Sequence, residues 1–104
     1  MPITITDENL NDEILNFTGK VLIDFRTSHC KSCQKVGMIL EEISREASDS
    51  DIIVGSVNID EQPELVKKFG ITSVPAVVVM RNGRLFAKRL GINTKEAILE
   101  LLLI

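Results

Sequence analysis

The chain alternates between two kinds of hydrophobic spacing. Val21-Leu22-Ile23-Asp24-Phe25 and Ala76-Val77-Val78-Val79-Met80 are near-continuous apolar runs, the pattern of strands buried on both faces. Ile3 to Ile5 predicts a short strand before them, and Ile52, Ile53, Val54 and Val57 predict another in between. The intervening segments change period. Leu10, Ile14 and Leu15 predict a first helix, with Thr6 as its N-cap and Asp7 and Glu8 in its first turn. Val36, Ile39, Leu40, Ile43 and Ala47 recur at three- and four-residue steps and mark one face of a longer helix. Asp60 is placed to cap a third helix that carries Pro63 near its start, buries Leu65, Val66 and Phe69, and stops at Gly70. Asn82-Gly83 predicts a tight hairpin, because both central positions of that turn need positive φ. Leu85 to Leu90 is the returning strand. Asn93 and Glu96 form a capping-box pattern ahead of a last helix to Ile104. Its crowded apolar positions (Ile98, Leu99, Leu101, Leu102, Leu103, Ile104) read chiefly as core.

The predicted order is βαβαβαββα, an α/β class. Strands alternating with helices imply parallel pairing through right-handed crossovers, and the final hairpin adds an antiparallel strand, so the central sheet is mixed. Strands that are apolar on both sides require helices on both faces. The 104 residues show no repeat, linker or low-complexity run and suit one domain over 1–104. A net charge of −3 argues against a nucleic-acid partner. The longest apolar stretch, Leu101-Leu102-Leu103-Ile104, is far too short to cross a bilayer. The first residues show no basic region followed by an apolar run, so the default expectation is a cytoplasmic protein.

The chemistry concentrates in Cys30-Lys31-Ser32-Cys33, which holds both cysteines of the chain. A disulfide between them closes a tiny loop and removes little chain entropy, so stability is a poor reason for it. Redox chemistry, metal binding or chance remain. The motif sits where a buried strand passes into the long helix. Cys30 would lie at the helix N-terminus, where unpaired N–H groups and the dipole favour an anion. A thiolate there should be stabilised, lowering its pKa below the free value of about 8.5. Lys31 adds a positive charge nearby. The thiolate is the species that attacks a disulfide. Cys33, one turn on, can resolve the mixed disulfide within the molecule. A C-x-x-C beside a strand–helix unit accordingly reads as a redox pair. A closed zinc site needs four ligands, and two cysteines and one histidine cannot supply them. A dimer pooling two pairs could hold zinc or an iron–sulfur cluster. No metal or cofactor is expected.

Nearly the whole chain resembles the thioredoxin family. The resemblance rests on Val21-Leu22-Ile23-Asp24-Phe25 before the cysteines, Val57-Asn58-Ile59-Asp60, Phe69-Gly70-Ile71-Thr72-Ser73-Val74-Pro75, Arg81-Asn82-Gly83 and Gly91, all in register. It implies the thioredoxin fold and a protein-disulfide reductase that carries electrons to disulfide-bearing substrate proteins. Cys30 would be the nucleophile and Cys33 the resolving cysteine. The Val74–Pro75 bond would be cis, leaving the preceding backbone free to pair with an extended substrate peptide beside Gly91. Asp24, an acid inside an apolar run whose burial should raise its pKa, would act through water as base or acid for Cys33. A thioredoxin reductase is the implied electron donor, and a monomer the expected state.

The rim departs from the family. His29 and Arg26 stand where it carries tryptophans, Lys31-Ser32 where it has Gly-Pro, Ser56 where a lysine neighbours the buried acid, and Met38 where a proline kinks the long helix. Lys31, and His29 when protonated, should stabilise the reduced form and make the couple less reducing than an ordinary thioredoxin's. Both are candidates for substrate contact. A rim without tryptophan also fits a redox adaptor serving one partner, or a redox-inactive binding module that uses the groove for contact alone.

Overall fold

The computed structural model describes residues 2–47 and 52–103. Five strands form one mixed sheet: β1 (Ile3–Thr4), β2 (Lys20–Arg26), β3 (Ile52–Asn58), β4 (Ala76–Arg81) and β5 (Arg84–Leu90), in the spatial order β1-β3-β2-β4-β5. β1 and β2 each pair with β3 in parallel, while β4 runs antiparallel to both β2 and β5. Among the described residues, the helical elements are a π-helical turn (Leu10–Leu15) and three helices, α1 (Lys31–Glu46), α2 (Pro63–Phe69) and α3 (Lys95–Leu103). The predicted order is the observed one.

Alternation along β2 and β4 divides the core in two. Val21, Ile23 and Phe25 of β2, with Ala76, Val78 and Met80 of β4, face the π-helical turn and α2, and meet Leu10, Ile14, Leu65 and Phe69. Leu22 of β2, with Val77 and Val79, faces α1 and α3, and meets Val36, Leu40, Ile43, Ile98, Leu101 and Leu102. The last helix divides as an amphipathic helix should. Ile98, Leu101 and Leu102 are buried, Leu99 and Leu103 are exposed, and Ile104 lies outside the described residues. The side-chain ammonium of Lys20 donates to the Leu102 carbonyl at the end of α3, where free carbonyls need partners.

Several caps sit elsewhere than expected. Helical winding starts at Leu10 behind Asn9, not directly behind Thr6. Thr6 still works as a cap one turn earlier, because its Oγ1 accepts from Asn9 N at 3.1 Å while Asn9 Oδ1 accepts from Thr6 N at 2.8 Å. Asp60 does not cap α2. Gln62 holds that position, and the Asp60 carboxylate accepts from the Thr27 hydroxyl. α3 is capped by Thr94, whose Oγ1 accepts from Ala97 N at 3.2 Å, not by Asn93. Ile5 lies just past β1, although its N–H still reaches Ser56 O at 2.9 Å.

The hairpin has the expected geometry, with φ of 50° at Asn82 and 80° at Gly83. It is also tied down. Asn82 N donates to Gly19 O at 3.0 Å, and Asn82 Oδ1 accepts from Gly19 N at 2.9 Å. A Cβ at Gly83 would stand 2.6 Å from Leu15 O, so the close approach demands glycine.

Candidate active site

Sheet register brings the candidate residues to one end of the molecule. Phe25 of β2 pairs with Ala76 of β4. The end of β2, which leads into Thr27-Ser28-His29-Cys30, therefore lies beside the start of β4, which follows Val74-Pro75. Ala76 pairs in turn with Leu90, and Gly91 N donates to Pro75 O at 2.8 Å. The Val74–Pro75 peptide is cis. Gly91 has φ 74° and is exposed, and a Cβ built there meets nothing within 4 Å. Pro75 is buried and Val74 half-buried beneath that opening. The loop ahead of Cys30 is anchored by the Thr27–Asp60 bond and by Ile59 N donating to Arg26 O at 2.9 Å.

Cys30 is the N-cap of α1 and is joined to Cys33 by a disulfide, with Cα atoms 5.2 Å apart. Its Sγ accepts from Cys33 N at 3.1 Å, so one of the free N–H groups of the helix start is spent on this sulfur. The two sulfurs are not equivalent. Cys30 is half-buried, whereas Cys33 is only 1% exposed. His29 and Lys31 flank Cys30 in the chain and both are exposed. The Ser32 hydroxyl stands 3.5 Å from Cys30 Sγ. The sequence marks Ser32 only as a departure from the family's Gly-Pro, although a hydroxyl inside a C-x-x-C is a signal for this contact.

Asp24 is the one buried charged side chain among the described residues, 2% exposed. It lies two residues beyond Leu22, on the same side of the strand, and therefore faces α1, with Ser56 of β3 and Val77 of β4 on either side of it. Neither carboxylate oxygen has a hydrogen-bond partner of good geometry. Burial pushes its pKa up, and the Ser56 hydroxyl and Arg26 guanidinium oppose this more weakly. The carboxylate lines a cavity of about 410 Å³ between the sheet and α1, along with Ser56, Arg26, Gln34, Gly37 and Glu41. A second cavity, about 250 Å³, holds Cys33 together with Arg26, Thr27, Gln34 and Asn58. The sequence marks Arg26 only as a replaced tryptophan, and no motif or spacing marks Gln34. Among the described residues no three His, Cys, Asp or Glu side chains converge as a metal site would require, and no helix is long and apolar enough to cross a membrane.

Comparison with known proteins agrees with this geometry. The family model described as Thioredoxin matches residues 1–103. A thioredoxin of Rickettsia bellii is 35% identical over 100 residues, covering 96% of this chain and 94% of its own length. A thioredoxin of Buchnera aphidicola is likewise 35% identical, covering 96% and 92%. Among solved structures, a single-site mutant of a thioredoxin from Halobacterium salinarum superposes with a TM-score of 0.85 over 97% of this chain and 87% of that one. At 23% identity it speaks for the fold. These findings do not favour a redox-inactive binding module. A closed cysteine pair on this scaffold, with relatives of matching length, leads to one conclusion: the chain belongs to the thioredoxin family and is a thiol–disulfide oxidoreductase of the protein-disulfide reductase kind.

Proposed function

We propose that the two cysteines divide the reaction by their exposure, which is the observation that carries this reading. Once the pair is reduced, Cys30 is the sulfur a substrate can reach, and the start of α1 favours negative charge on it. Its thiolate attacks one sulfur of a substrate disulfide. A mixed disulfide forms, and the first substrate sulfur leaves as thiolate. Cys33 then gives its proton to the Asp24 carboxylate and attacks Cys30 Sγ. The Cys30–Cys33 disulfide closes, the second substrate thiolate leaves, and Asp24 returns its proton to water. Two electrons pass to the substrate in each cycle, and a thioredoxin reductase restores the dithiol.

Val74, Pro75 and Gly91 form the groove for the extended substrate segment, with His29 and Lys31 at its rim. The open space at Gly91 and its bond to Pro75 support that assignment. Residues 1–104 work as a single thioredoxin-like unit, as a monomer in the cytoplasm. The test is trapping. Cys33→Ser, incubated with a disulfide-bearing protein, should accumulate a mixed disulfide at Cys30 that mass spectrometry detects, whereas Cys30→Ser should not. Equal trapping by both variants would refute the division of roles.

A further inference from the structure

Arg26 closes β2 two residues beyond Asp24 and so projects from the same face of the sheet. Its side chain reaches α1, because a Cβ added at Gly37 would stand 3.0 Å from Arg26 Nη1. A bare helix position is what gives the guanidinium its place. Among the described residues, Arg26 and Gln34 are the two that line both the Asp24 cavity and the Cys33 cavity. The way from the buried acid to the buried sulfur therefore passes a guanidinium and a side-chain amide, both on residues exposed to solvent.

We propose that Arg26 is a positioning residue for the proton step of resolution, its guanidinium and the Gln34 amide forming the polar boundary across which the Cys33 proton reaches Asp24. This rests on the acid–base role given to Asp24 above. The positive charge favours the carboxylate that must accept the proton, against the burial that disfavours it. The other charged side chain lining the Asp24 cavity is Glu41 of α1, of opposite sign. β3 contributes Ser56, β1 Thr4 and the N-terminal segment Pro2, and β4 sets Val77 beside the acid, all uncharged. Around Cys33, Arg26 is the one charge among Thr27, Ser28, Gln34 and Asn58.

The test mixes the reduced protein with one equivalent of a symmetrical, neutral dipyridyl disulfide in a stopped-flow instrument. The first thiopyridone released reports attack by Cys30, and the second reports resolution by Cys33. A chain with no Trp or Tyr leaves the near ultraviolet clear for both. The pH midpoint of the second phase should rise by about half a unit in Arg26→Ala, the scale of one partly exposed charge. Arg26→Lys, which keeps the charge, should return it toward the wild-type value, and Arg26→Glu should raise it further. Asp24→Asn should remove that midpoint. A merely structural role for Arg26 would lower the melting temperature and leave the midpoint in place. If Asp24→Asn removes the midpoint while Arg26→Ala and Arg26→Glu leave it at the wild-type value, the Arg26 proposal is overturned and the role of Asp24 stands. If the midpoint survives Asp24→Asn, the acid is not the proton acceptor and both readings fall.

Discussion

The two faces of the sheet are built from the same strands and do different work. Toward α2 and the π-helical turn, β2 presents Val21, Ile23 and Phe25, and every member of that cluster is apolar. Phe25 stacks obliquely on Phe69, with ring centroids 5.6 Å apart, a geometry aromatic pairs favour. Toward α1, the same strand presents Leu22 and then Asp24, whose oxygens are unpaired, beside two cavities. One face is lined by apolar side chains throughout and is stabilising. The other gives up packing and solvation at a single position, Asp24, the residue proposed above as the proton acceptor. Burying an unpaired polar group is unfavourable, so in the proposed mechanism the chemistry is carried at the expense of the fold, by one residue on one face.

Three substitutions put that contrast at risk. The largest effect belongs to the apolar face. Phe25→Ala should lower the unfolding free energy by about 3–5 kcal/mol, as truncation of a buried aromatic does, measured by denaturant unfolding followed by far-ultraviolet circular dichroism. A loss as small as a surface substitution would mean that this face is not the stabilising one. Asp24→Asn should act in the opposite sense, raising stability by about 1–2 kcal/mol at neutral pH. The sign follows from linkage. The folded-state pKa lies above the ordinary value of 3.8, so the native chain holds a proton that the unfolded chain releases, and Asp24 costs more stability as pH rises through that window. The gap between Asp24→Asn and wild type should thus widen with pH and vanish in acid. A gap independent of pH would contradict the account of the buried acid. The smallest effect is expected at Lys95, which joins α3 to α1 through Glu42 at 2.6 Å and Glu46 at 2.9 Å, with Lys95 and Glu42 half-buried and Glu46 exposed. Ion pairs that water still reaches contribute little, so Lys95→Ala should lower the thermal midpoint by no more than a few degrees and leave the turnover of a disulfide substrate unchanged.

The sequence carried the periodic features well and the pairwise ones poorly. The apolar runs of β2 and β4, the stripe of α1 and the Asn82-Gly83 turn were legible because each follows from local spacing. The caps were less so. Thr94 and Asn93 are adjacent and chemically similar, and geometry decides between them. Asp60 was a sound candidate until Thr27, 33 residues away in the chain, took its carboxylate. The π-type winding of Leu10–Leu15 leaves no mark in its apolar pattern. In the site, Cys30 and Cys33 announced themselves by spacing, and Asp24 by being an acid within an apolar run. Arg26 and Gln34 did not, because what joins them is a wall shared by two cavities, and that exists only after β2 and α1 have packed.

The clasp between Asn82 and Gly19 reaches further than the turn it closes. It sits at the opposite pole of the sheet from the cysteines, about 20 Å away along β2 at the usual rise of a strand. It locks Arg81 opposite Lys20 and thereby sets the phase of the two central strands. If β2 slipped by a single residue, every side chain on it would change sides: Asp24 would point at α2, and Phe25 would lie beneath the cysteine helix. The side of the sheet on which the proposed proton acceptor lies is thus held from the quiet pole as well, by an asparagine that never meets a sulfur atom.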